Sequence, residues 1–414
     1  MIFNKRLIFA ICISLLSISA FSQNNTASPY SMYGVGNIEY KGDVINMGMG
    51  HTGLALPSSN YINTISAASL SKMDSLTMLF NLQAKASLST FESSSQKQSN
   101  FNSNINGISM AFKVNPNWGM AITISPYSNI GYNIQSEKDM IGTNTTYPVT
   151  YTGEGGIYEL GWSNGVELFK NFSLGLKSSL LWGNIDIIEK SEYPYILGQT
   201  IYNEHSYHVS NFNLEYSFQY YIPIHKYTLS FGGNYMSETS LNTWFKQRVY
   251  TDGDYEYYSE KTNADNLFLP TSYGGGIAIQ KEQNWIVAFD YHKGDWSNIN
   301  LANTTNKTRD TQQFNFGIQY SPQRNIHRSI FKRMQYRVGA FYADNYLKIK
   351  DVELSEKGIT AGFTIPMKNQ SLLNFGYEYK VGGSLKNGLV KENFHSIKLG
   401  LTFNESWFRK SVFQ

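Results

Sequence analysis

The chain has 414 residues, a formal charge of +3, 15% aromatic residues and a mean hydropathy of −0.34. So small a charge makes no electrostatic case for nucleic acid, and a single cysteine, Cys12, excludes internal disulfides and thiolate metal centres. One soluble core rarely grows beyond ~250–300 residues, so the chain either divides or builds a thin wall.

Met1 to Ser22 reads as an export signal. Lys5 and Arg6 precede an apolar run from Leu7 to Ala20, and Ala20-Phe21-Ser22 offers small residues for cleavage before Gln23. The run is short of the roughly 20 apolar residues of a spanning helix. Cys12 lies inside this segment, away from the cleavage junction.

Residues 23–75 show no lasting alternation. They contain Ser28-Pro29-Tyr30-Ser31-Met32-Tyr33-Gly34-Val35-Gly36 and the glycines 48, 50 and 53. Glycine permits tight turns and close backbone approach. The apolar content of Leu54-Ala55-Leu56 and Ala67-Ala68-Ser69-Leu70 fits a compact plug; the alternative is a loose periplasmic tail.

From Leu76 onward the period becomes two, the mark of a strand with two unlike faces. Fourteen segments carry it: 76–91, 103–115, 117–134, 156–169, 171–188, 206–222, 226–241, 270–281, 284–296, 310–322, 334–346, 356–367, 371–383 and 393–404. Phe314, Phe316, Ile318 and Tyr320 alternate with Gln313, Asn315, Gly317 and Gln319. Ile397, Leu399, Leu401 and Phe403 alternate with Ser396, Lys398, Gly400 and Thr402. Short turns near 115–117, 170–171, 223–225, 282–283 and 366–370 alternate with longer polar segments. The pattern predicts an all-β fold: a transmembrane antiparallel barrel of about fourteen strands, greasy outside and polar inside, with an N-terminal hatch. The aromatic load suits the two membrane interfaces of such a barrel. The domain reading is 1–22 signal, 23–75 hatch, 76–404 barrel and 405–414 periplasmic tail, in the outer membrane of a Gram-negative bacterium.

The opening motif at 28–36, the glycines at 48, 50 and 53, and the ending Leu399 to Lys410 resemble the FadL-type outer-membrane proteins of Bacteroidota. The resemblance implies a barrel that moves hydrophobic compounds such as fatty acids, with outer-membrane lipid and a hydrophobic ligand as its partners and no cofactor. It places Ser66, Ala67 and Ala68 where the family has an Asn-Pro-Ala hatch motif, with only the alanine kept. It also implies a defect in the third strand, through which substrate leaves sideways. Here that strand carries Pro126, which lacks a ladder donor; the plainer reading puts Pro126 at the outer rim.

Chemistry is otherwise sparse. His205 and His208 with Glu204 fall short of a metal site of defined geometry. Asp252-Gly253-Asp254-Tyr255-Glu256 lacks the spacing of a calcium loop. No catalytic motif is present, and an enzyme is not expected. The lumen face carries Glu378, Lys380 and Lys398, whose opposite charges can pair across the wall. The connection 322–333 holds Arg324, Arg328, Lys332 and Arg333, a docking patch for a periplasmic protein or a solvated basic loop. Two functions are open: uptake of hydrophobic molecules through a hatch and lateral opening, or a non-transporting scaffold in an envelope secretion or barrel-assembly complex.

Overall fold

The computed structural model describes residues 28–406, apart from 76, 143, 194–199, 254, 264–266, 283, 300–306, 323–328 and 368–369. The stretch read as an export signal, with Cys12, and Asp254, Arg324, Arg328 and the ending beyond Ser406 lie outside the described residues.

Fourteen strands build the wall: β1 Thr77–Glu92, β2 Lys97–Asn115, β3 Trp118–Asp139, β4 Thr146–Phe169, β5 Phe172–Glu192, β6 Thr200–Ile224, β7 Tyr227–Met236, β8 Ser272–Lys281, β9 Trp285–Gly294, β10 Thr311–Tyr320, β11 Gln335–Ile349, β12 Val352–Pro366, β13 Leu372–Gly383 and β14 Lys391–Ser406. Each pairs antiparallel with its neighbour. β14 pairs with β1 from Lys391–Glu92 to Ser406–Thr77, and this seam closes the barrel. All fourteen segments expected from the alternation are wall strands.

The two faces follow the period of two. Along β5, Leu174 and Leu176 are 42% and 38% exposed, while Ser173, Gly175 and Lys177, which alternate with them, are buried. Phe314 and Phe316 of β10 point out and Asn315 points in. Polar side chains inside and apolar ones outside give a wall that faces lipid.

The outer connections differ from the expected long loops. The connection after β1 is only Ser93–Gln96, and much of 135–155 and 189–205 extends the strands. β6 has 25 residues, well beyond the ~9–11 that cross a bilayer. Thr239–Thr251 pairs with the outer half of β6 and forms a hairpin with Glu256–Asn263. Above the membrane both faces meet water, so the hydrophobic alternation fades while the backbone ladder continues.

Residues 28–75 pack on the inward face of the wall. Val44–Gly48 forms a short helix, α1, capped by Asp43. The Asp43 carboxylate accepts from the Ile45 and Asn46 amides at 2.8 and 3.1 Å. Burial pushes this carboxyl up to about 6, against the lowering effect of those two amides. Farther out, Tyr30 and Val35 join Ile157, Leu181 and Val209 in an apolar cluster inside the barrel.

Candidate functional site

The functional geometry begins with a bulge in β2. Phe101 and Ile105 face outward, then Ile108 does, so the outward parity changes from odd to even. Gln83 of β1 pairs with Gly107 and Ala84 with Ile105, which leaves Asn106 as the extra residue. A bulge lets two successive residues share a face, and Asn106 and Gly107 are both buried.

β3 has its own irregularity. Its register against β4 shifts between Pro126 and Ser128. Before the shift Ala121 and Thr123 are buried; after it Ser128, Ile130 and Tyr132 are.

Between these defects the ladder stops. β2 and β3 pair from Asn115–Trp118 to Ile108–Ile124, and farther out residues 97–107 and 125–139 do not pair with each other. The N-terminal segment takes the free edge of β3. Asn37 and Ile38 pair with Asn129 and Ser128. The Glu39 amide donates to the Tyr127 carbonyl at 3.0 Å, and the Ser28 amide donates to the Gly131 carbonyl at 3.2 Å. Unpaired backbone in hydrocarbon costs several kcal/mol per group, so this segment supplies what β2 withholds.

A cavity of about 280 Å³ lies behind the break. Gly107, Ile108 and Pro126 line it at the wall, Tyr40 and Ile65 from the N-terminal segment, and Tyr346 from the far side. Its volume is near the lower end of small-molecule pockets. Ion pairs surround it: Lys41–Glu215 at 2.5 Å, Lys177–Glu159 at 2.7 Å, Lys85–Glu39 at 2.8 Å and Lys380–Glu356 at 2.8 Å. Buried charge is tolerated when it is paired in this way. Glu378, Lys380 and Lys398 are buried inside, as the alternation implies. In direct contact, Glu378 meets His51 at 2.6 Å and Lys380 meets Glu356.

Ser66, Ala67 and Ala68 are buried at the start of a 3-10 turn, Ala67–Lys72, and none of the three lines the cavity that Pro126 lines. An ideal Cβ on Gly175 of β5 would collide with the Ala68 nitrogen, so only glycine admits this approach. The Ala68 amide donates to Ser217 Oγ at 3.0 Å, and Ser71 Oγ donates to Ser173 Oγ at 2.7 Å. Thr64 and Ile65, just before this turn, line the cavity. Pro126 therefore belongs to the cavity wall, and Ser66 to Ala68 belong to the seam between the N-terminal segment and the barrel. Lys332 and Arg333 lie in a short helix, Ile330–Arg333, between β10 and β11.

His205 and His208 project from opposite faces of β6, because an odd spacing on a strand separates them. His208 stacks on Trp244 and its Nδ1 lies 2.5 Å from Asn184 Oδ1. Among the described residues no group of three or more His, Cys, Asp or Glu could hold a metal. The residues missed from sequence are Gln83, Asn106 and Gly107. The parity change across Asn106-Gly107 was the available signal.

The chain matches the family model described as BamG over residues 1–414. Its fold is shared with the Ralstonia pickettii toluene transporter TbuX, at 13% identity and a TM-score of 0.60 over 88% of this chain and 98% of that one. The P. putida toluene transporter TodX is similar at 13% identity and 0.61, over 90% and 100%. A Pseudomonas aeruginosa FadL homologue is similar at 11% identity and 0.59, over 89% and 99%. At these identities the likeness is one of fold. No curated protein matches the chain in sequence.

Proposed function

The chain belongs to the BamG family, and we propose that this member passes hydrophobic small molecules sideways through its wall in the outer membrane of a Gram-negative bacterium. The interrupted β2–β3 ladder with a cavity behind it carries this reading. Two proteins of the same fold are described as toluene transporters. In this reading the segment 23–75 is a hatch that stays in place. Ser66, Ala67 and Ala68 seat it on the wall, and Pro126 marks the opening. The cargo is fatty-acid-like in having an apolar chain with a polar end. Residues 1–22 are removed during export, 405–414 end in the periplasm, and the two terminal motifs support a Bacteroidota source.

The test is uptake of radiolabelled dodecanol and laurate by cells carrying the wild type or Gly107→Phe. The added ring enters the gap, so uptake falls to background while the barrel still folds and shifts on heating. Undiminished uptake in a folded variant would remove the proposal.

A second reading is favoured by how firmly the hatch is seated, with its backbone lying directly on Gly175. A fixed plug suits a non-transporting scaffold in an envelope secretion or barrel-assembly complex. Arg324, Arg328, Lys332 and Arg333 would then form its periplasmic docking patch. Gentle purification separates the two readings: fixed protein partners support the scaffold, and the barrel alone with lipid supports transport.

A further inference from the structure

Three side chains beside the break hold polar atoms that the fold leaves unpaired: Gln83 Oε1, Asn106 Oδ1 and Ser109 Oγ. The three residues are only 5%, 8% and 3% exposed, and all of them line the cavity. Register brings them together. Gln83 lies opposite Gly107, Asn106 is the bulge residue beside it, and Ser109 follows two positions along β2. An ideal Cβ on Gly107 would stand 3.9 Å from Gln83 Nε2 and 3.7 Å from Ser125 Cβ. Glycine here leaves the space before these groups unfilled. Buried polar atoms without partners are uncommon in folded proteins, and three in one patch call for a common explanation.

The charges decide what kind of group fits. The lysines that line the cavity are Lys41, Lys177 and Lys293, and each already has a carboxylate, in Glu215, Glu159 and Asp295. Among the described lining residues no lysine is left unpaired for an incoming anion, and Glu39, Glu159, Asp344 and Glu356 are likewise paired, with Lys85, Lys177, Arg309 and Lys380, so an ionised carboxylate would lose its water without gaining a counter-charge. Carboxamides and a hydroxyl, by contrast, both donate and accept.

We propose that the cavity selects an amphiphile with an uncharged hydrogen-bonding head, such as a long-chain alcohol, monoglyceride or primary amide, over the corresponding carboxylate. The head sits on Gln83, Asn106 and Ser109. The chain runs past Ile108 and Ile124 toward lipid. This deepens the lateral-uptake reading and rests on it.

The test uses the full chain in lipid nanodiscs, because many detergents are themselves such amphiphiles. Binding of labelled dodecanol, of laurate at a pH where it is ionised, and of dodecane is measured above that of empty discs. The wild type is compared with the double variant Gln83→Met/Asn106→Leu, which keeps approximate volume. Wild type is expected to prefer dodecanol to both other probes by about tenfold or more, the scale of one good hydrogen bond. The variant should lose that preference and still bind dodecane, which shows that it is folded. Laurate binding as tightly as dodecanol, or a preference that survives in the variant, overturns the proposal and leaves lateral uptake standing if dodecane still binds. Failure of all three probes to bind overturns both.

Discussion

A reversible staple across the wall tests the sideways route most directly. Gly107→Cys with Ser125→Cys places two thiols where β2 and β3 part. An ideal Cβ at Gly107 lies 3.7 Å from Ser125 Cβ, within the ~3.5–4.5 Å that disulfides span. The nearest other atom, the Ile124 carbonyl oxygen, is 3.4 Å away, an ordinary contact. Gly107 is not among the glycines with positive φ, so a side chain adds no backbone strain there. The sole natural cysteine, Cys12, belongs to the stretch read as a removed signal. The closed loop is close to the ~15-residue size for which a crosslink stabilises by about 3 kcal/mol. The oxidised barrel should therefore resist heat at least as well as the reduced one. Uptake of labelled dodecanol should fall to background on oxidation and return with dithiothreitol. If the oxidised protein, its crosslink verified by mass, transports as fast as the reduced form, molecules do not cross between β2 and β3.

A second staple, Ser71→Cys with Ser173→Cys, replaces hydroxyls 2.7 Å apart and ties the N-terminal segment, proposed above as a hatch, to β5. Uptake should be unchanged, and its loss would place the route through the hatch instead. Asp290 of β9 accepts from the Gly53 and Leu54 amides at 2.7 and 2.9 Å. Such bonds to a charged acceptor contribute about 1.5–3 kcal/mol each. Asp290→Ala should speed hydrogen exchange at those amides by about a hundredfold or more, and unchanged protection would refute the anchoring role. With its lumen crossed by residues 28–75 and by ion pairs, the purified protein should pass only small currents in planar bilayers. Large, steady porin-like steps would contradict that. Its gel mobility should change on heating, as expected of a barrel that survives detergent until boiled.

The wall was legible because its signal is local. In β5 a reader needs only Leu174 and Leu176 against Ser173 and Lys177 to know which side faces lipid. The even strand count and the short inner turns follow from the same one-dimensional pattern. The bulge was also written there, as the step from Ile105 to Ile108. The outer strand extensions were harder to read, since water on both faces removes the contrast that marks a membrane strand. A segment such as Thr150-Tyr151-Thr152 has strand propensity without amphipathicity.

The partners inside the barrel depend on residues far apart in the chain. The alternation puts Glu378 and Lys380 on the lumen face but does not name their contacts: Lys380 meets Glu356, and Glu378 meets His51. Ser28 Oγ donates to Glu392 at 2.5 Å across almost the whole sequence. Composition and period therefore determined a lipid-facing cylinder with a polar lining, because each strand needs only its own alternation to sort its two faces. The folded arrangement alone decided that Asn37–Ile38 takes the edge that β2 leaves free, and that a cavity remains behind it. Backbone pairing is satisfied by whichever donors and acceptors come within reach, and reach is set by the closed barrel.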